Sequence, residues 1–265
     1  MEFKMFDVEH GFCALITTEE NYKILIECGH NSSTNFTPTK YLEKVGISTI
    51  QELWVSNYDE DHISNLSELK SKISIKALWR NKSVTAGQLE LIKSKNKITE
   101  NMKTLLKMMN DYTGDYSRPV PKSYEVSIDY NNYPEFDDTN NLSAVFFFNY
   151  RDIRILYAGD METKGWENLL KKQSFIEKIK KSNIFIASHH GRDNGYCPEL
   201  FDHFKPEVIL ISDKEIVHGT QNQLYTKHAS GVIVDGTKRF VLTTRNDGRI
   251  GIRQSPSSNR DIYIG

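Results

Sequence analysis

The chain has 265 residues, with 34 Lys and Arg against 35 Asp and Glu, a formal net charge of −1. That balance supplies no global electrostatic drive toward nucleic acid or a membrane surface and leaves only a local basic face for such partners. The length suits one large domain or two small ones, and no apolar run approaches the roughly 20 residues of a transmembrane helix.

Strand patterns open the chain at residues 3–8, 13–17 and 23–27, short β-branched or aromatic runs separated by Gly or charged turns. Residues 37–45 have helical character, with Pro38 suited to a first turn. A strand at 53–55 feeds an acidic segment, and a short helix at 63–70 and a strand at 73–79 follow. The longest helical window, 86–109, is rich in Lys, Leu and Met and is expected on the outside. Residues 111–138 read as an irregular loop or lid with a possible strand at 123–128. Strands return at 143–149 and 153–157, then helical stretches at 163–181, a strand at 184–187, a helix near 198–204 and a strand at 208–211. Short strands at 232–234, 240–244 and 249–253 close the chain, with Asn246-Asp247-Gly248 as a tight hairpin turn. A strand meander followed by alternating strands and helices fits two sheets covered by outer helices, within a single domain spanning 1–265.

Cys13, Cys28 and Cys197 are odd in number and widely spaced, so they read as reduced thiols of a cytoplasmic protein. The first residues lack the charged-then-apolar order of a signal peptide. Of the three, Cys28 alone lies near candidate chemistry.

The most informative stretch is Ser56-Asn57-Tyr58-Asp59-Glu60-Asp61-His62, directly after Leu53-Trp54-Val55. Alternation in an extended turn points Asn57, Asp59 and Asp61 the same way, with His62 beside them. Hard oxygen donors and an imidazole at a strand end make half a site for a divalent cation; equally, they make an acidic turn with Asp61 as N-cap of the following helix. Two later segments repeat the logic. Ile155 to Asp160 is an apolar strand ending in Gly and a carboxylate, and Ile184 to Gly191 is one ending in His189 and His190. In one sheet, three such strands would place these groups on one edge, where a held metal ion activates water and Asp160 is the natural bridge between two ions.

These residues resemble a known family. Asn57-x-Asp59-x-Asp61-His62 is similar to the H-x-[HD]-x-D-H signature of the metallo-β-lactamase superfamily, and Gly159-Asp160 and Ser188-His189-His190-Gly191 resemble its later metal motifs. Asp7 to Ile16 and Ile24 to Gly29 resemble its opening strands. Asn140-Asn141-Leu142-Ser143, His218-Gly219 and Thr244 to Ile250 resemble features of one branch, the hydrolase domain attached to DNA-uptake competence channels and its stand-alone relatives. The resemblance implies an α+β fold, the αββα sandwich of two mixed sheets with outer helices. It implies a metal site of Asp61, His62, Asp160 and one of His189 or His190. It places Asn57, Asp59, Asp160 and Asn141 at a second site. There Asn57 stands for the motif's first His, and an amide oxygen is a much weaker zinc ligand than imidazole. Glu27 stands for the opening-strand Asp. One or two ions are therefore implied, zinc or manganese, with magnesium as a further choice.

The same branch implies phosphodiester hydrolysis on nucleic acid or nucleotides, with Asp61 and Asp160 as catalytic groups and His218 protonating a leaving oxygen or holding phosphate. Asn141, Ser143 and Arg192 are the further substrate candidates, Arg192 as a phosphate contact. His10 and His30 stand beside early strands, within reach of the rim. Lys93, Lys95, Lys97, Lys103 and Lys107, with Lys171, Lys172, Lys178, Lys180 and Lys181, either guide a polyanion or form solvated faces. Tyr112, Tyr116, Tyr124, Tyr130 and Tyr133 either stack bases or cover a core edge. Two other functions stay open: a hydrolase of lactones or thioesters, and a non-catalytic sensor or partner subunit with a degraded metal site. A protein partner or a homo-oligomer fits either.

Overall fold

The computed structural model describes residues 1–94, 97–114, 123–214 and 222–265. Its first half runs β1 (Glu2–Met5), β2 (Ala14–Thr17), β3 (Lys23–Ile26), α1 (Pro38–Lys44), β4 (Thr49–Trp54), α2 (Glu60–Ile63), α3 (Leu66–Lys72), β5 (Ser74–Trp79), α4 (Ala86–Lys93) and α5 (Glu100–Asp111). The second half adds β6 (Glu125–Tyr130), β7 (Ala144–Tyr150), β8 (Ile153–Tyr157), α6 (Thr163–Leu170), α7 (Gln173–Ile179), β9 (Ile184–Ile186) and β10 (Val208–Ile211). After these come α8 (Asn222–His228), β11 (Val232–Val234), β12 (Thr237–Arg239), β13 (Val241–Thr243), α9 (Thr244–Asp247), β14 (Ile250–Arg253) and β15 (Asp261–Ile264).

The strands form two large mixed sheets, ordered β15-β14-β1-β2-β3-β4-β5 and β13-β10-β9-β8-β7-β6, with β11 and β12 as a separate pair. In the first sheet β3, β4 and β5 run parallel and the other pairs antiparallel. In the second, β8, β9, β10 and β13 run parallel. The sheets pack face to face. Phe146, Phe148 and Tyr150 of β7 meet Phe3, Ile24 and Trp54 of the first sheet, and Trp54 stacks on Phe146 at 4.7 Å between ring centroids. Residues of opposite parity on β7, Val145 and Phe147, face outward into a cluster with Trp166, Phe175 and Ile179 of α6 and α7. The outer face of the first sheet is covered by α1, α3, α4 and α5, through Leu42, Leu69, Leu89 and Leu105. The order of layers is helix, sheet, sheet, helix, the αββα sandwich.

Several sequence expectations change. The window 86–109 is two helices, because Thr85 and Thr99 each accept a hydrogen bond from the third residue of a new helix, and Thr85 with Gln88 closes a capping box. The helix expected at 63–70 is split into α2 and α3, and the N-cap of α2 is Asp59, not Asp61. Asn246-Asp247-Gly248 does not turn a hairpin. Asn246 and Asp247 end α9, Gly248 takes φ +66° as its C-cap, and the turn carries the chain from β13 in one sheet to β14 in the other. The irregular region 111–138 contains β6, paired in register along β7. Tyr124 is buried against Phe148, so it covers the core, and Tyr116 lies outside the described residues. None of the described helices is long and apolar enough to cross a membrane.

Candidate metal centre

The three strand ends do not lie in one sheet. β4 belongs to the first, β8 and β9 to the second, and their C-terminal ends meet where the two sheets converge. Close approach there depends on Gly159, at φ +52°, because a Cβ at this position would lie 2.2 Å from Ser56 Oγ. Ala144 N–H donates to the Ser56 carbonyl and ties the start of β7 to the loop after β4.

On this rim, donor atoms of Asp61, His62, Asp160 and His190 lie within 4.8 Å of one another. His62 Nε2 is 3.1 Å and His190 Nε2 3.5 Å from Asp160 Oδ1, and His190 Nε2 is 3.4 Å from Asp61 Oδ2. His62, Asp160 and His190 are buried, yet both His62 nitrogens, Asp160 Oδ1 and His190 Nε2 make no hydrogen bond beyond the close contacts within this cluster. Buried polar atoms are ordinarily satisfied, so donor atoms converging without partners outside the cluster are what a cation site requires. The donor set, two imidazoles and two carboxylates, suits zinc or manganese.

The surroundings orient these ligands. His190 Nδ1 lies 3.0 Å from the Ser212 carbonyl, which only accepts, so Nδ1 carries a proton and the ring is oriented with Nε2 toward the cluster. Glu27, fully buried, accepts from Ser56 N–H at 2.7 Å, from the Ser56 hydroxyl and from Tyr157 Oη at 3.3 Å, and its Oε1 is 3.8 Å from His62 Nδ1. The backbone at His189 and His190 is left-handed, with φ of 49° and 56°. Two consecutive non-glycine residues in that region cost on the order of 1–3 kcal/mol each, strain typical of functional sites.

The charges are mutually adjusted. Burial disfavours charge on His62, but Asp160 and Asp61 overcome it and hold the imidazole well above its ordinary range. Burial acts to raise both carboxylates, but His62 and His190 hold Asp61 well below the usual range and bring Asp160 down to about 2. A metal ion does the same work as these protons, which is why its binding is linked to their release.

His189 stands apart from the four-residue cluster. Its Nε2 is 3.9 Å from Asp160 Oδ2 and takes a contact from Arg192 Nη1 at 3.3 Å, while Nδ1 is 3.5 Å from Glu162 Oε1. Arginine only donates, so His189 Nε2 is occupied as an acceptor. Arg192 Nη2 makes the matching contact to His10 Nε2, and its Nε is buried without a partner. Burial lowers both imidazoles, His10 to about 4, with the charges of His190 and Arg192 adding to the effect. Among the described residues no carboxylate pairs with Arg192.

Asn57, Asp59 and Asn141 lie outside the four-residue cluster and are engaged in hydrogen bonds of their own. Asn57 Nδ2 donates to the Thr139 carbonyl, Asn140 Oδ1 and Ser143 Oγ, and its Oδ1 accepts from Asp59 N–H at 2.6 Å. Asp59 Oδ1 accepts from Thr139 Oγ1 at 2.8 Å and from the Lys93 ammonium. Asn141 faces the other way, toward Asp138 and the Gly165 N–H. Ser143 Oγ accepts from Asp160 N–H at 3.2 Å and so braces a cluster residue. Lys93, at 19% side-chain exposure and paired with Asp59, is not on a solvated face. Cys28 is fully buried among apolar residues, and His30 pairs with Ser64. His218 and Lys95 lie outside the described residues. Sequence reasoning passed over Asp213, a buried carboxylate two residues beyond β10 that pairs with Arg245 at 2.9 Å; burial lifts it to about 6 against the pull of that arginine. It follows the same signal, an acid just after an apolar strand.

No family model matches this sequence, and neither does any curated protein. Solved structures do match. The chain aligns over 95% of its length with 54% of a mutant of CmlA beta-hydroxylase, at 12% identity and a TM-score of 0.55, so it spans about half of that protein. It also aligns with Igni18, a novel metallo hydrolase from the archaeon Ignicoccus hospitalis, over 96% of this chain and 100% of that one, at 10% identity and a TM-score of 0.49. A diphosphatase from the PhnP family aligns over 95% and 97%, at 9% identity and a TM-score of 0.46. At such identities what is shared is the architecture, here the αββα sandwich of two mixed sheets with outer helices.

Proposed function

We propose that the protein is a metal-dependent hydrolase that cleaves phosphodiester bonds of nucleotides or nucleic acid. The observation that carries the metal centre is the convergence of buried donor atoms of His62, Asp160 and His190, without partners outside the cluster, beside Asp61. A bound divalent ion supplies Lewis acidity and a water of lowered pKa. The protein's own contribution begins with Asp61 and Asp160, which compensate the ion's charge and accept the proton of the attacking water. Arg192, held between two neutral imidazoles with no carboxylate paired to it among the described residues, favours an anionic substrate. As the P–O ester bond breaks, the leaving oxygen takes a proton, the role assigned to His218. The competence-channel-like motifs point to the same substrate class, and a short nucleotide suits a chain of net charge −1 better than long duplex DNA.

The test is hydrolysis of bis(p-nitrophenyl) phosphate and a panel of nucleotides with added zinc or manganese. Wild type is expected to turn over a phosphodiester, and Asp61→Ala to lose about 10²-fold or more. Turnover confined to lactones or thioesters would contradict the substrate class. A second reading, a ligand-binding subunit without turnover, is favoured by the engagement of Asn57 with Thr139 and Ser143, and it predicts metal binding with no hydrolysis at all.

A further inference from the structure

Two sets of potential ligands lie near the rim, and their hydrogen bonding differs in kind. In the set of Asp61, His62, Asp160 and His190, key donor atoms are buried and without partners outside the cluster. In the set of Asn57 and Asp59, the Asn57 amide and one Asp59 oxygen are already engaged. Asn57 makes four hydrogen bonds through its amide, and one oxygen of Asp59 is shared by the Thr139 hydroxyl and the Lys93 ammonium. A carboxylate paired with an ammonium has its charge already compensated, so a divalent ion there must displace the lysine.

The network leads back to the metal centre. Asn57 Nδ2 donates to Ser143 Oγ at 3.1 Å, and Ser143 Oγ accepts from Asp160 N–H at 3.2 Å. Lys93 sits in the last turn of α4, and the Thr85–Gln88 capping box fixes where that helix begins. Its ammonium has three donors, and among the described residues Asp59 is its one hydrogen-bond partner.

We propose that the chain takes a single divalent ion, and that Lys93 supplies at Asp59 a fixed positive charge in place of a second one. Lys93 then acts by holding Asp59 out of the ligand set, and its other ammonium donors stay available for hydrogen bonding. This rests on the metal centre proposed above, and metal content tests the two separately.

The experiment is elemental analysis of purified protein dialysed against excess zinc or manganese, with melting curves to verify that each variant is folded. Wild type is expected to hold one equivalent, and Asp59→Asn to hold one as well, since Asp59 is no ligand. The double variant Asn57→His with Lys93→Met frees Asp59 and adds an imidazole, and is expected to rise toward two equivalents. Two equivalents in wild type, or a fall in Asp59→Asn, would overturn the assignment of Lys93 while leaving the metal centre standing. A folded double variant that stays at one equivalent would overturn the claim that Lys93 excludes the second ion. No metal in wild type would remove the metal centre itself, and this inference with it.

Discussion

Glu27 illustrates how much of the centre is built by residues that do not themselves complete the ligand set. It is a fully buried carboxylate at φ 57°, holding the loop after β4 through Ser56 while its Oε1 faces His62 Nδ1. Partners of this kind orient imidazole ligands and raise their basicity, and their loss typically weakens metal affinity about 10–100-fold. Glu27→Gln, which keeps an acceptor for Ser56, is therefore expected to weaken zinc binding by about that factor in chelator competition; unchanged affinity would show that His62 needs no such partner. The residues that gather here are legible as types at strand ends, because carboxylates and imidazoles after apolar runs have few structural reasons to recur. Which imidazole joins them is not legible. Left-handed backbone at both His189 and His190 decides that one turns to Asp61 and the other to Arg192, and no pattern of residue types reveals such a handedness. Lys93 escaped for a related reason: a lysine in a lysine-rich helix reads as solvated until the packing of α4 brings it onto Asp59.

At the scale of elements, the rim is a consequence of turns rather than of strands. Gly159 lets β8 end against Ser56, and its φ of +52° is one that side chains resist. Gly159→Ala adds both strain and a clash with Ser56, so a loss of about 2–4 kcal/mol in denaturant unfolding is expected, with metal affinity falling alongside. A variant as stable as wild type would mean that the sheet ends tolerate separation. Helix boundaries were partly readable. Thr85 with Gln88 is a sequence-level start signal, and Thr99 before Glu100 is another, but an uninterrupted Lys, Leu and Met composition masks the break between them. Asn246-Asp247-Gly248 misleads for a sharper reason. A glycine at positive φ serves both a hairpin turn and a helix C-cap, and the difference lies in Thr243, whose side chain caps α9.

For the whole molecule, the two sheets are held by an interior of alternating strand residues in which Trp54 stacks on Phe146 and Phe12 on Tyr157. The αββα order follows from a meander that closes with β14 beside β1 and from the parallel run β8, β9, β10 and β13. Strand existence is a local property and was largely legible. Sheet membership depends on pairings hundreds of residues apart, such as Phe3 with Ile252, and composition does not encode it. The site depends instead on how the two sheets pack, since Asp61 and His62 follow β4 of one and Asp160 and His190 follow β8 and β9 of the other. The most direct test of this account is anomalous diffraction from crystals grown with zinc or manganese. One ion is predicted, bound among Asp61, His62, Asp160 and His190, with Lys93 still on Asp59. An ion bound at Asn57 and Asp59 instead, or no ion at the meeting point of the sheets, would contradict it.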